Sequence, residues 1–349
     1  MEILETPYDE WVGYLKTHHG KGAFHASALV REVMVHGNPC FGDSKAFREA
    51  PALAAALAGE VRFTPPVVEE TVCEDGVVKV LHRLADGLAV ESVVIPMKGY
   101  ATLCLSTQVG CRMGCRFCRT GRMGLRRNLT VAEMTGQLWN ARFVLKAPIR
   151  NLVFMGMGEP LDNLENVVRA VGVMTDIRGF SIGPKRITVS TVGLADQMTR
   201  LADANLGVRL ALSLNASDDA VRSTLMPVNR RYPLAVLKET LGALDGRKGL
   251  RDGVLLEYVL IRGVNDRPED AQRLAGFVSG LTATLNLIPF NPSKGETELT
   301  APCDADVNAF HDQLVARGLH VRRRWSQGEG LLAACGQLGE EACRVYRLP

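Results

Sequence analysis

Four of the chain's nine cysteines fall between Cys104 and Cys118. Cys111, Cys115 and Cys118 are spaced C-x3-C-x2-C, and Cys104 stands seven residues upstream of them. Thiols at that density are metal ligands first. Iron–sulfur clusters are held by thiolates, and a cubane of four irons normally takes four. Three on one loop would leave one iron open, and an open metal position is where a substrate or cofactor binds. The plain alternative is a zinc site completed by a distant fourth ligand. Zinc sites usually pair C-x2-C units, so the x3-then-x2 spacing suits that alternative poorly. The tail holds Cys335 in Ala333-Ala334-Cys335-Gly336-Gln337-Leu338. A lone cysteine among small residues is, on its own, a small buried hydrophobe. Cys40, Cys73, Cys303 and Cys343 match no motif and are assigned to packing. The seven histidines form no ligand pair, since His18 and His19 are adjacent and face different ways.

At 349 residues and 46% hydrophobic content, the chain can build one large core or a domain with an appendage. Charged residues make up 23%, which excludes disorder and low complexity. No apolar run nears the length of a membrane helix, and Met-Glu-Ile-Leu-Glu is acidic where a secretory signal would be basic. The expected compartment is the reducing cytoplasm, where nine cysteines point to metal or redox chemistry rather than disulfides. Net charge is only +3, but Arg112, Arg116, Arg119, Arg122, Arg126 and Arg127 crowd the cysteine loop. Arg230–Arg231 and Arg322–Arg323–Arg324 add two further basic groups. Any one of these reads as solvated surface; several at strand ends suit a phosphate-bearing partner.

These groups need a scaffold, and the patterning supplies one. Residues 1–95 read as an accessory α+β extension, with helical patterns near 27–36 and 51–58 before a small β-meander. Asp75-Gly76 and Asp86-Gly87 mark its hairpin turns. Over 96–300 apolar strands alternate with helices, with strands expected at 101–107, 151–157, 186–192, 207–214, 253–261 and 283–290. Leu234, Leu237, Leu241 and Leu244 give one intervening helix, and Thr130–Glu133 forms a capping box that starts another. Six such units predict an α/β fold, an open partial (β/α)6 barrel with its chemistry at the C-terminal strand ends. The cysteine loop follows the first strand and so falls there. A third segment, 301–349, holds a helix (304–317), a strand (319–325) and the cysteine-bearing tail.

The C-x3-C-x2-C spacing with Phe117 before the last cysteine is similar to the signature of the radical S-adenosylmethionine (SAM) superfamily. Gly156-Met157-Gly158-Glu159-Pro160 resembles that superfamily's Gly-Gly-Glu motif. More specifically, S-T-Q-V-G-C-R-M-G-C-R-F-C-R-T-G, F-M-G-M-G-E-P-L-D-N, I-T-V-S-T-V-G, L-M-P-V-N-R-R-Y-P-L, N-L-I-P-F-N-P and A-A-C-G-Q-L look like the RlmN/Cfr family of RNA methyltransferases. The likeness runs from about Gly76 to Leu338. It implies a radical-SAM barrel holding a 4Fe-4S cluster on Cys111, Cys115 and Cys118, with the open iron chelated by SAM and two SAM molecules used per turnover. It implies further that Cys335 carries the methyl group as S-methylcysteine. Cys104 would resolve the protein–RNA cross-link through a transient disulfide with Cys335, and a thiol reductant would reset the pair. The family's proton acceptor matches Glu91, which shares its strand face with Ala89, Val93 and Ile95; such neighbours raise a carboxyl's pKa. SAM contacts carry over to Gly158, Glu159, Ser190, Ser213, Leu214, Asn215 and Asn291.

The chain departs from the family at Asn215, where histidine is usual, and at Gln327 and Gly330 ahead of the tail cysteine, where arginine and aspartate are usual. The implied substrate is adenine carbon 2 in 23S ribosomal RNA, with transfer RNA as a further candidate. The sibling reading is carbon 8, as in the Cfr branch. A non-methylating radical SAM enzyme, which needs neither Cys104 nor Cys335, and a zinc-and-RNA binding module are the rivals from other classes. The electron donor would be of flavodoxin or ferredoxin type, no membrane is involved, and nothing demands more than a monomer.

Overall fold

The computed structural model describes residues 1–247, 249–251, 253–292, 298–324 and 336–339. Cys335, Cys343, Gln327 and Gly330, singled out above, lie outside the described residues.

Four helices come first: α1 (Tyr8–His19), α2 (Ala23–Met34), α3 (Lys45–Arg48) and α4 (Pro51–Glu60). Trp11 and Leu15 of α1 and Leu29, Val30 and Val33 of α2 are buried at the three- and four-residue spacing of one helix face. The helices lead into β1 (Val67–Glu74), β2 (Val77–Arg83), β3 (Ala89–Met97) and β4 (Tyr100–Cys104), an antiparallel meander. Asp75 and Gly76 turn β1 into β2 with φ of 50° and 78°. Two consecutive positive values are what a two-residue hairpin turn needs, and Asp-Gly supplies them at low strain.

From β4 onward the ladder is parallel: β7 (Ile149–Phe154), β8 (Ile187–Thr191), β9 (Arg209–Ser213), β10 (Val254–Leu260), β11 (Ala283–Pro289) and β12 (Val321–Arg323). β4 and β7–β11 are the six barrel strands expected from the sequence; β12 extends them by one. Meander and barrel share a single ten-stranded sheet, because β3 pairs with β4. Helices α6 (Val131–Trp139), α7 (Leu164–Thr175), α8 (Ala195–Asp203), α9 (Asp219–Leu225), α10 (Leu234–Leu244), α11 (Pro268–Val278) and α12 (Asp304–Ala316) alternate with these strands. The parallel strands β8, β9, β10 and β11 are buried along most of their length and read as largely apolar runs, whereas β12 at the sheet edge is not.

One expected strand proves to be two elements. The run 101–107 ends as β4 at Cys104, and after a bend the chain forms β5 (Gln108–Cys111), which pairs with β6 (Gly124–Asn128). This hairpin frames the cysteine loop and its one-turn helix α5 (Arg119–Arg122). It closes tightly: a Cβ on Gly110, at φ 76°, would lie 1.8 Å from the Gly124 carbonyl oxygen. No helix among the described residues is long and apolar enough to cross a membrane.

The start of α6 is fixed by the expected capping box. Thr130 Oγ1 accepts from Glu133 N at 3.2 Å, and Glu133 Oε2 accepts from Thr130 N at 2.9 Å. Thr130→Ala should therefore lower the unfolding free energy by about 1 kcal/mol in urea, with the slope of the transition unchanged.

Candidate functional site

The chain leaving β4 docks backbone to backbone on the turn that follows β7. Gly156 N donates to Leu105 O at 3.1 Å, and Thr107 and Gln108 N donate to the Met157 carbonyl at 2.8 and 3.2 Å. Ser106 Oγ accepts from Met157 N at 2.7 Å and donates to the Glu91 carbonyl at 2.6 Å. Gln108 Oε1 accepts from Glu159 N at 2.8 Å, while its amide donates to Asn128 and Asp162. So close an approach excludes side chains. A Cβ on Gly156 would lie 2.7 Å from Leu105 O, and one on Gly158, at φ 103°, 2.6 Å from Gln108 Cβ.

This docking aims Glu159. Its carboxylate accepts from Leu161 N at 3.1 Å and from Val192 N, beyond the end of β8, at 2.9 Å. Burial nevertheless outweighs these bonds and pushes the Glu159 carboxyl up to about 7. A buried carboxyl at a strand end, with its donors fixed, suits an ammonium group better than water.

Cys111, Cys115 and Cys118 line one cleft with Gly158, Glu159, Ser190, Ser213, Asn215 and Asn291, which holds about 1040 Å3 of empty space counting the solvent at its mouth. Burial pushes the Cys111 thiol up to about 12 and raises Cys115 and Cys118 as well. Bare thiolates are thus disfavoured there, and a multiply charged metal core reverses that preference. Among the described residues no three Cys, His, Asp or Glu converge as ligands of a single ion. The cleft leaves room beside the three thiols for a nucleoside. Cys118 caps α5, Arg116 N donates to Leu225 O at 2.9 Å, and Arg119 N donates to Gly336 O at 2.7 Å. The loop is thereby tied to α9 on one side and to the residues after Cys335 on the other.

The expected site residues do not all meet. Ser190, Ser213, Asn215 and Asn291 line the cleft with Gly158 and Glu159. Leu214 does not line it and packs into the core. Asn215 has φ 58° and its side chain is engaged, Oδ1 accepting from Val259 N at 2.9 Å and Nδ2 contacting Met226 Sδ at 3.4 Å. Glu91 and Cys104 are both buried and lie on one face of adjacent strands, since Val93 pairs with Cys104. Neither is among the residues lining the cleft. Gly336, which follows Cys335, does line it, and Leu338 O accepts from Thr120 Oγ1 at 2.7 Å.

The sequence reading passed over three groups. Gln108 is the hub between the cysteine loop and the Gly-Glu turn. Glu257 is a buried carboxyl in the cleft wall, bonded to Asn286 Nδ2 at 2.8 Å; a carboxylate inside the apolar run 254–260 was the available signal. Arg222 is wholly buried. The arginine cluster is also less available than its composition suggests. Arg112 pairs with Asp162, Arg116 with Glu298, and Arg127 with both Glu133 and Asp86.

The model of the radical SAM superfamily matches residues 105–275. The probable dual-specificity RNA methyltransferase RlmN 1 of Protochlamydia amoebophila is 39% identical over 340 residues, spanning 97% of this chain and 94% of that protein. The dual-specificity RNA methyltransferase RlmN of Pelobacter propionicus is 44% identical over 331 residues, 91% of this chain and 90% of its own. A crystal structure of a radical SAM methyltransferase from Sphaerobacter thermophilus superposes with a TM-score of 0.89 at 36% identity, covering 97% of this chain and 99% of that one.

A carboxyl raised by burial leaves a mark on stability. Between the ordinary carboxyl pKa and about 7, folded Glu159 holds a proton that the unfolded chain has released, so stability falls as pH rises through that window. Urea titrations of the metal-free protein should show this slope flattened in Glu159→Gln, by up to ~3 kcal/mol between pH 4.5 and 7.5.

Proposed function

Because the chain belongs to the RlmN family of radical SAM RNA methyltransferases, we propose that it methylates carbon 2 of an adenine in 23S ribosomal RNA, with transfer RNA as a further substrate. The observation that carries the reading is that three cysteine thiols and the Gly158–Glu159 turn line the same cleft. Cys111, Cys115 and Cys118 would hold a 4Fe-4S cluster, and Gly158, Glu159, Ser190, Ser213, Asn215 and Asn291 the SAM beside it. When bound, the cluster supplies the electron that splits the SAM sulfonium into methionine and a 5′-deoxyadenosyl radical.

The remaining work falls to side chains of this chain. Adenine carbon 2 is electron-poor and cannot itself attack a methyl sulfonium, so a protein nucleophile must take the methyl first. Cys335 fills that role: its thiolate displaces the methyl group from one SAM and holds it as a thioether, releasing S-adenosylhomocysteine. That methyl carbon would give up one hydrogen atom to the 5′-deoxyadenosyl group of a second SAM, which leaves as 5′-deoxyadenosine, and would bond to the ring, joining RNA to Cys335. The odd electron left on the ring would return to the cluster as the ring proton departs. Glu91 then accepts the ring proton; its place on the face it shares with Cys104 supports the pairing of these two roles. The Cys104 thiolate attacks the Cys335 sulfur, a disulfide forms, the carbon–sulfur bond breaks with its electron pair going to the methylene carbon, which takes up a proton to become the methyl group, and a dithiol reductant restores both thiols. The target base must be unstacked to reach the cleft.

Nucleoside mass spectrometry of ribosomal and transfer RNA, from cells with and without the protein, tests the reading. It should show 2-methyladenosine that depends on the protein; 8-methyladenosine alone would transfer the chain to the other branch, and no methylated adenosine would overturn the reading. In purified enzyme, Cys335→Ala should abolish methylation. Glu91→Gln should slow it by about 10²–10⁴-fold. Cys104→Ala should accumulate covalent protein–RNA adduct, visible as a shifted band that ribonuclease trims.

A further inference from the structure

Arg222 is 0% exposed, and among the described residues its guanidinium has no carboxylate as a hydrogen-bond partner. Nε donates to Leu214 O at 2.9 Å, Nη1 to Asn229 Oδ1 at 2.8 Å and Tyr232 O at 3.4 Å, and Nη2 to Val192 O at 2.7 Å and Ser213 O at 3.3 Å. All five acceptors are neutral. The group knots the ends of β8 and β9 together, and a knot needs donors, not charge. A permanent cation buried without an anion carries a desolvation cost that a neutral donor would not.

The cleft beside it explains the charge. Arg222 and Leu225 lie one turn apart on α9, Leu225 shares a buried cluster with Cys115, and Leu225 O accepts from Arg116 N. Two of the acceptors of Arg222, the carbonyls of Val192 and Ser213, belong to residues that line the cleft with Cys111, Cys115 and Cys118, so the guanidinium sits directly behind the cleft wall. Asp219 Oδ1 accepts from Asn229 Nδ2 at 2.9 Å, so this exposed carboxylate reaches Arg222 through the Asn229 amide.

We propose that Arg222 is the buried counter-charge of this site and a positioning residue for its electron transfer, raising the reduction potential of the cluster held by Cys111, Cys115 and Cys118. This rests on the cluster assignment made above. One-electron reduction by an external low-potential donor adds a negative charge to a group already carrying three thiolates, and a fixed cation favours the more negative state. Net charge is one of the levers that set such potentials.

The test is a redox titration of the anaerobically reconstituted protein, followed by the electron paramagnetic resonance of the reduced cluster. Arg222→Gln should make the cluster about tenfold harder to reduce at fixed potential, a midpoint shift of about 59 mV downward. Arg222→Lys, which keeps the charge and loses the fork, should recover most of that shift while unfolding at lower temperature than wild type. Should the glutamine variant not fold, Asn229→Asp serves instead. It sets a carboxylate against Nη1, cancels the charge at the same node, and should also lower the midpoint. A midpoint unmoved in the folded neutral variant, or in Asn229→Asp where that variant does not fold, would leave Arg222 as a structural clamp and overturn the proposal. A wild-type protein with no iron–sulfur signal would overturn the cluster assignment as well, so the two failures are distinct.

Discussion

Everything at the C-terminal rim depends on the segment after β4 lying directly on the turn after β7. Those contacts are main chain to main chain, through Gly156, Met157, Leu105 and Thr107, with Ser106 Oγ bridging to the Glu91 carbonyl. They fix in one unit the start of the cysteine loop, the orientation of the Glu159 carboxyl and the strand that carries Glu91. Two glycines make the approach possible, since a methyl group at either would overlap Leu105 or Gln108. The same unit is buried, so its polar atoms must bond to one another, and the pattern of bonds admits little else.

Within that frame the electrostatics are arranged around something absent from the polypeptide itself. Three thiols, two carboxyls (Glu159 and Glu257) and one guanidinium (Arg222) are held in low dielectric, and burial shifts each toward its neutral form. A cleft populated this way is unfavourable when empty of charge partners and favourable once a metal core and a sulfonium–ammonium ligand supply them. Asn215 shows how a family departure is accommodated. Asparagine tolerates the left-handed backbone there, and its amide is spent on turning the chain toward β10 rather than on reaching across the cleft.

Much of this was legible in the sequence because it is local. The barrel strands are largely buried, mostly apolar runs separated by helices with clear starts such as Thr130, so periodicity finds them. The thiol spacing and the Gly158–Glu159 turn are short motifs whose chemistry is carried by contiguous residues. What escaped has a common physical cause. The β5–β6 hairpin consists of two short strands on either side of the cysteine loop, each below the length at which alternation is readable. Leu214 follows Ser213 into any list drawn from a contiguous motif, yet successive residues face opposite ways, and Leu214 enters the core. Arg222 in Asp219–Leu225 looks like any helical arginine; only the convergence of carbonyls from Val192, Ser213 and Leu214 reveals its burial.

The central claim is that three thiolates leave one corner of a cubane for the cofactor. Mössbauer spectroscopy of protein reconstituted with iron-57, before and after addition of SAM, reads this most directly. The account predicts that one iron in four changes its isomer shift as the amino acid end of the cofactor binds, while three remain sulfur-ligated and unchanged. Four equivalent irons, indifferent to the cofactor, would contradict it.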